Sequence, residues 1–116
     1  MDKSGRICAS AELLESGPGR RFEVPYQGAL APAFVVRYHG QVRAFLNRCA
    51  HVSVELDWEP GQFFDPARVY LICSTHGAIY EPDGGRCIAG PCKGARLTTV
   101  SVEERDGSIF LEGLTE

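Results

Sequence analysis

Two short segments of the chain each place a cysteine just ahead of a histidine: NRCAH, with Cys49 and His51, and ICSTHG, with Cys73 and His76. Thiolate and imidazole are ligands of soft and borderline metals. Side chains two apart in extended chain share a side, and in a loop beside glycine or proline a gap of one or two residues can aim both at a common centre. Each segment therefore offers one sulfur and one nitrogen to a shared site.

If both sulfurs bind one iron, both imidazoles bind a second and two sulfides bridge them, the segments become equivalent clamps on a flat cluster. Two ferric ions, two sulfides and two thiolates sum to zero charge, whereas four thiolates would leave the oxidised cluster a dianion. An electron enters the neutral centre more easily, so imidazole ligation raises the potential by roughly a few hundred millivolts over an all-cysteine cluster. It also ties the potential to pH, because the outer nitrogens of His51 and His76 can lose protons and reduction makes them more basic. A single zinc with the same four ligands is the main alternative, but structural zinc usually draws a cysteine pair from one loop and a histidine pair from another segment. Here each loop mixes the types. A site without metal, with buried cysteines and turn histidines, requires the repeated order to be accidental.

The elements that must hold these loops read as β-structure. Ile7 and Cys8 suggest a short strand, followed by Ser10 as N-cap of a brief helical turn that ends at Gly17, Pro18 and Gly19. Phe22 and Val24 alternate with charged residues, and Pro25 puts that strand at an edge or at its end. The run AFVVRYHGQVRAFLN predicts a hairpin over residues 34–38 and 41–46 with His39 and Gly40 in a two-residue turn. His39, the third histidine, needs no role beyond that turn. PDGG predicts a second hairpin between Ile79-Tyr80 and Cys87-Ile88, Gly90 and Pro91 mark a sharp loop, and residues 97–102 and 109–111 form a last hairpin about Asp106 and Gly107.

Between the two ligand segments, residues 52–71 carry Trp58, Phe63 and Phe64 among prolines and glycine. At least two of these rings are expected to cover the core beneath, and one left exposed would suit a docking partner. Cys8, Cys87 and Cys92 read as small buried apolar residues, with a Cys87–Cys92 disulfide as the lesser alternative.

A chain of 116 residues is one domain of modest core. Lys+Arg 12 against Asp+Glu 15 leaves a formal charge of -3 with no basic stripe, which argues against nucleic acid and suits docking to a protein. The N-terminal MDKSGRICAS lacks the apolar core of a signal peptide, and no stretch reaches the roughly 18 apolar residues of a membrane span. The expectation is a cytoplasmic protein, not bound to membrane, in which the odd count of five cysteines, two of them beside histidines, favours metal ligation over a disulfide framework.

The CAH of residues 49–51 and the CSTHG of residues 73–77 resemble the Rieske iron-sulfur family, whose pattern is C-x-H followed by C-x₂-H and usually glycine. The Gly90-Pro91 pair looks like that family's third, proline-containing cluster loop. The resemblance implies an all-β fold, a sandwich or barrel base domain with a small cluster-binding subdomain at about residues 46–92, within a single domain over 1–116. It implies a [2Fe-2S] cluster on Cys49, His51, Cys73 and His76, with Gly77, Tyr80 and Pro91 around it. Members from cytochrome bc complexes add a disulfide between the cluster loops, at positions held here by Val54 and Thr75, and a serine after HG where this chain has Ala78. Fewer hydrogen bonds to sulfur lower the potential, toward that of soluble Rieske ferredoxins. The implied function is one-electron transfer from a flavin reductase to a terminal oxygenase or similar oxidoreductase, by a monomer that is not itself an enzyme. Alternatives are a fixed small subunit of a reductase such as nitrite reductase, or a zinc-stabilised interaction module. Arg48 and Lys93 would set docking polarity, or be ordinary solvated charges.

Overall fold

The computed structural model describes residues 6–48, 55–57, 61–73, 77–90 and 94–114. Among these, nine strands form two sheets: β1 (Arg6–Ala9), β2 (Arg20–Tyr26), β3 (Ala29–Tyr38), β4 (Gln41–Leu46), β5 (Leu71–Ile72), β6 (Ile79–Tyr80), β7 (Cys87–Ala89), β8 (Thr99–Arg105) and β9 (Ser108–Leu114). The larger sheet has the order β1-β9-β8-β4-β3-β2 and the smaller β5-β6-β7, with antiparallel pairing throughout.

Three hairpins of the large sheet turn on dipeptides whose second member is glycine. Gln27-Gly28, His39-Gly40 and Asp106-Gly107 all lie at positive φ, from 50 to 84°, as two-residue turns matched to strand twist require. Two of these turns follow the sequence reading; that of Gln27-Gly28 is an addition, and it lengthens β3 back through Pro32 to Ala29. β2, with Pro25, is an edge strand as expected. The first helical turn differs from expectation: it is a single 3-10 turn at Ser10–Glu12 capped by Ala9. Ser10 lies inside it, and the Glu12 carboxylate accepts the Ala9 N–H at 3.1 Å, so an acidic side chain does the work assigned to the serine.

The run AFVV in β3 is apolar on both sides because it is buried on both sides. Ala33 and Val35 face an interior that gathers Cys8, Val24, Ala44, Leu46, Val100 and Ile109, residues from all six strands of the large sheet. That common interior gives the sheet its barrel-like wrap. Phe34 and Val36 face the other way, into a second cluster with Phe45, Leu56, Phe63, Leu71, Cys73, Tyr80 and Leu97. The small sheet thus packs on the outer face of β3 and β4. Of the three rings between the ligand segments, Phe63 is fully buried and Phe64 packs at the edge of this second cluster; Trp58 lies outside the described residues. Cys8 and Cys87 are buried as expected, and Cys92, with the proposed disulfide, lies outside them. Among the described residues no helix is long and apolar enough to cross a membrane.

The stretch that carries the ligand segments leaves and rejoins the large sheet at one place. β4 pairs directly with β8 (Ala44 with Val100, Phe45 with Thr99), and the Leu46 N–H donates to the Thr98 carbonyl at 2.9 Å.

Candidate metal centre

The second ligand segment is the loop of a hairpin. β5 and β6 pair through Leu71–Tyr80 and Ile72–Ile79, and beyond the last rung the Cys73 N–H donates to the Ala78 carbonyl at 2.9 Å while the Gly77 N–H returns to the Cys73 carbonyl at 2.7 Å. Gly77 stands at φ 73° with nothing within 4 Å of where a Cβ would lie. The left-handed turn there, which glycine adopts at low cost, brings the chain back just after His76.

Cys73 has no exposed surface and sits in the second apolar cluster beside Leu71, Ala78, Tyr80 and Cys87. A bare thiolate would pay heavily for that dehydration, whereas a thiolate that neutralises ferric iron does not carry its charge alone. The donor chemistry at Cys73 therefore fits a cluster of zero net charge. Ala78 is fully buried and brings no hydroxyl; Tyr80, also fully buried, brings one.

A third segment seats on this loop. β7 runs into Gly90, at φ 99°, and a Cβ there would lie 2.8 Å from the Ala78 Cα, so only glycine allows the backbone before Pro91 to press against the second ligand segment. The far side of that loop is closed by the Gly94 N–H to the Cys87 carbonyl at 3.1 Å and the Cys87 N–H to the Ala95 carbonyl at 2.8 Å.

The first ligand segment begins where β4 ends. Asn47 is 1 % exposed, and the Arg48 guanidinium rests 5.7 Å from the ring centre of Tyr26 in β2. Arg48 thus lies against an edge strand of the large sheet. Cys49, His51, Val54, Thr75, His76, Pro91 and Lys93 lie outside the described residues. Among the described residues the structure brings the first residue of the second pair, Cys73, and the glycine before Pro91 together through Ala78.

The same neighbourhood holds a polar group that the motif reading passed over. Asp57, beyond the first segment, is buried with Asn47: the Asn47 Nδ2 donates to Asp57 Oδ1 at 2.9 Å, and Asn47 Oδ1 accepts the Leu56 N–H at 2.8 Å. The sequence signal available was an amide and a carboxylate flanking one ligand pair, N-x-C before it and L-D after it.

Comparison of folds places this arrangement among solved structures. A chain of the complex of reduced oxygenase and oxidized ferredoxin in carbazole 1,9a-dioxygenase superposes with a TM-score of 0.71 at 24% identity, covering 96% of this chain and 94% of that one. The ferredoxin of carbazole 1,9a-dioxygenase from Nocardioides aromaticivorans IC177 gives 0.68 at 22% identity, over 93% and 95%. The terminal oxygenase of carbazole 1,9a-dioxygenase from Novosphingobium sp. KA1 gives 0.72 at 24% identity and covers 97% of this chain, which spans 31% of the oxygenase. A search of curated proteins by sequence finds no match. The Rieske [2Fe-2S] domain matches residues 5–104. By that match, which takes in all three loops, the chain belongs to the Rieske [2Fe-2S] domain family.

Proposed function

We propose that this protein is a one-electron carrier that receives an electron from a flavin reductase and delivers it to a terminal oxygenase. The observation that carries the reading is coverage: these residues span 94–95% of the ferredoxin-sized chains they superpose on and 31% of an oxygenase, so their extent is that of the carrier. One such structure, a complex of reduced oxygenase and oxidized ferredoxin, supports the choice of acceptor. The chain carries electrons and transforms no substrate, as a cytoplasmic monomer.

Cys49 and Cys73 would hold one iron and His51 and His76 the other, in a cluster-binding subdomain of about residues 46–92. When bound, the cluster supplies one reversible electron at a potential raised by its imidazole ligands. The chain's part is to fix those ligands and keep water from the sulfur side: the Cys73–Ala78 and Gly77–Cys73 hydrogen bonds shape one clamp, the apolar cluster dehydrates its sulfur, and Gly90 lies against it through Ala78. Tyr80 offers the remaining hydroxyl.

Anaerobically purified protein is expected to be coloured, to contain about two irons and two labile sulfides per chain, and to give on reduction a paramagnetic resonance signal of mixed-ligand type. It should accept electrons from a flavin reductase and be reoxidised by a Rieske oxygenase. One zinc per chain with no sulfide would overturn the proposal.

A further inference from the structure

The stretch that carries Cys49 and His51 is flanked by Asn47 and Arg48 on one side and by residues 55–57 on the other. Its two ends are joined by a buried polar clip. The Asn47 N–H donates to the Pro32 carbonyl of β3 at 2.8 Å; its side-chain amide reaches across to the returning limb, giving one hydrogen bond to Asp57 Oδ1 at 2.9 Å and taking one from the Leu56 N–H at 2.8 Å. Asp57 Oδ2 accepts the Gly61 N–H at 2.9 Å and faces Arg21 Nε of β2 at 3.4 Å. Arg21 Nη2 meanwhile pairs with Glu55 Oε1 at 2.5 Å.

A carboxylate whose side chain is 0% exposed is costly unless its lone pairs are met and its charge is balanced. Here the amide of Asn47, the backbone of Gly61 and the guanidinium of Arg21 do both. Each partner comes from a different segment: Arg21 from the edge strand, Asn47 from the end of β4, and Gly61 from the chain beyond the loop, where its carbonyl accepts the Gly19 N–H at 2.8 Å. Nothing in the general packing of a β-barrel calls for an aspartate at this point; an apolar pair would fill the space without the cost. What the polar group adds is direction, since hydrogen bonds fix the relative placement of two strands of chain that apolar contact would let slide.

We propose that Asp57, acting through Asn47 and Arg21, is a positioning residue that sets the first ligand pair against the second. Resting on the electron-carrier reading, the clip serves transfer directly: ligands held at one separation in both oxidation states need little rearrangement when the electron arrives, and the iron they hold is released slowly. Asn47 lies two residues before Cys49, and Asp57 lies six after His51, so the clip acts on the ends of the stretch that carries the ligand pair.

The test compares wild type, Asn47→Ala, Asp57→Asn and Arg21→Gln with Arg37→Met. Arg37 holds the Leu13 and Ser10 carbonyls of the N-terminal segment and the Glu104 carboxylate of β8 and makes none of the hydrogen bonds or ion pairs of the clip, so Arg37→Met reports destabilisation alone. Cluster-loaded clip variants are expected to show broadened and shifted resonance g-values, and to lose iron to a chelator roughly ten- to a hundredfold faster than wild type, the range seen when supports of metal ligands are removed. Arg37→Met should unfold at lower temperature with an unchanged spectrum. If Asn47→Ala and Asp57→Asn do not fold, Arg21→Gln decides, because its side chain is 38% exposed and its loss leaves the two amide contacts in place. Clip variants with wild-type spectra and iron release overturn the proposal. A wild type without iron and sulfide overturns the electron-carrier reading and this one with it; a loaded wild type that its variants match overturns the clip alone.

Discussion

Phe63 lies flat on Phe34, ring centres 3.9 Å apart and planes within 10° of parallel. One ring belongs to the chain between β4 and β5 and the other to β3 of the large sheet, so this stack ties that connection to the sheet. Phe63 also accepts the Ile72 N–H on its carbonyl at 2.9 Å, one residue before Cys73. Removing the ring in Phe63→Ala should cost about 3–5 kcal/mol of stability by transfer and cavity terms. Denaturant unfolding followed by far-ultraviolet dichroism measures this, and iron content per chain should fall in parallel.

Gly90 and Gly94 both stand at strongly positive φ, 99° and 96°, but only Gly90 has a neighbour where a Cβ would go, the Ala78 Cα at 2.8 Å. Gly94→Ala should therefore cost only the backbone strain, about 1 kcal/mol. Gly90→Ala adds displacement of the second ligand segment, for about 2–4 kcal/mol in all. Thermal unfolding of the two variants compares them directly, and equal losses would contradict the packing of Gly90 on Ala78.

The Glu104 carboxyl is held below the usual carboxylate range by its hydrogen bonds to the Arg37 guanidinium, against the opposing effect of partial burial. A group whose folded value is depressed adds stability above its unfolded value, near 4.3, and that stability is lost as pH falls through the folded value. Glu15 behaves in the same sense, its carboxylate accepting the Gly40 and His39 N–H groups. Unfolding free energy should thus decline below about pH 4.5, and Arg37→Met should flatten part of that decline. Parallel acid profiles would exclude the pair as its source.

Tyr80 supplies a hydroxyl within the apolar cluster that holds Cys73, and Ala78 supplies none. A hydrogen bond to the reduced cluster worth about 1 kcal/mol corresponds to roughly 40 mV for a one-electron couple. Tyr80→Phe should lower the reduction potential by about that amount. Protein-film voltammetry reads the shift, and an unchanged potential would place the hydroxyl's bond elsewhere.

Turn chemistry made much of the fold legible. His39-Gly40, Asp106-Gly107 and PDGG each name a reversal, and each is found where the sequence puts it. The hairpin at Gln27-Gly28 was hidden because Pro25 and Pro32 flank it and proline reads as a strand breaker. Pro25 is tolerated on an edge strand, and Pro32 lies one residue past the last rung between β3 and β4, where its carbonyl is the group in use. Ser10 misled because a cap preference is a local rule, whereas Glu12 reached back to the Ala9 N–H from inside the turn. The ligand segments announced themselves by residue type. The clip at Asp57 did not, because its meaning depends on Arg21 and Pro32, which only the tertiary fold brings to Asp57 and Asn47 respectively.

The junction at Leu46 and Thr98 has an evolutionary and engineering meaning. Because β4 and β8 are already neighbours in one sheet, everything between them is a graft on a β-meander that a short turn could close. The graft is also a lid: it covers Phe34, Val36 and Phe45, which would otherwise form an oily patch on the outside of the host sheet. A transplant of the stretch between β4 and β8 into another meander must therefore bring along three apolar positions on the recipient strands, and a deletion must replace them with polar ones. The host and its graft are separable in chain path and inseparable in solubility.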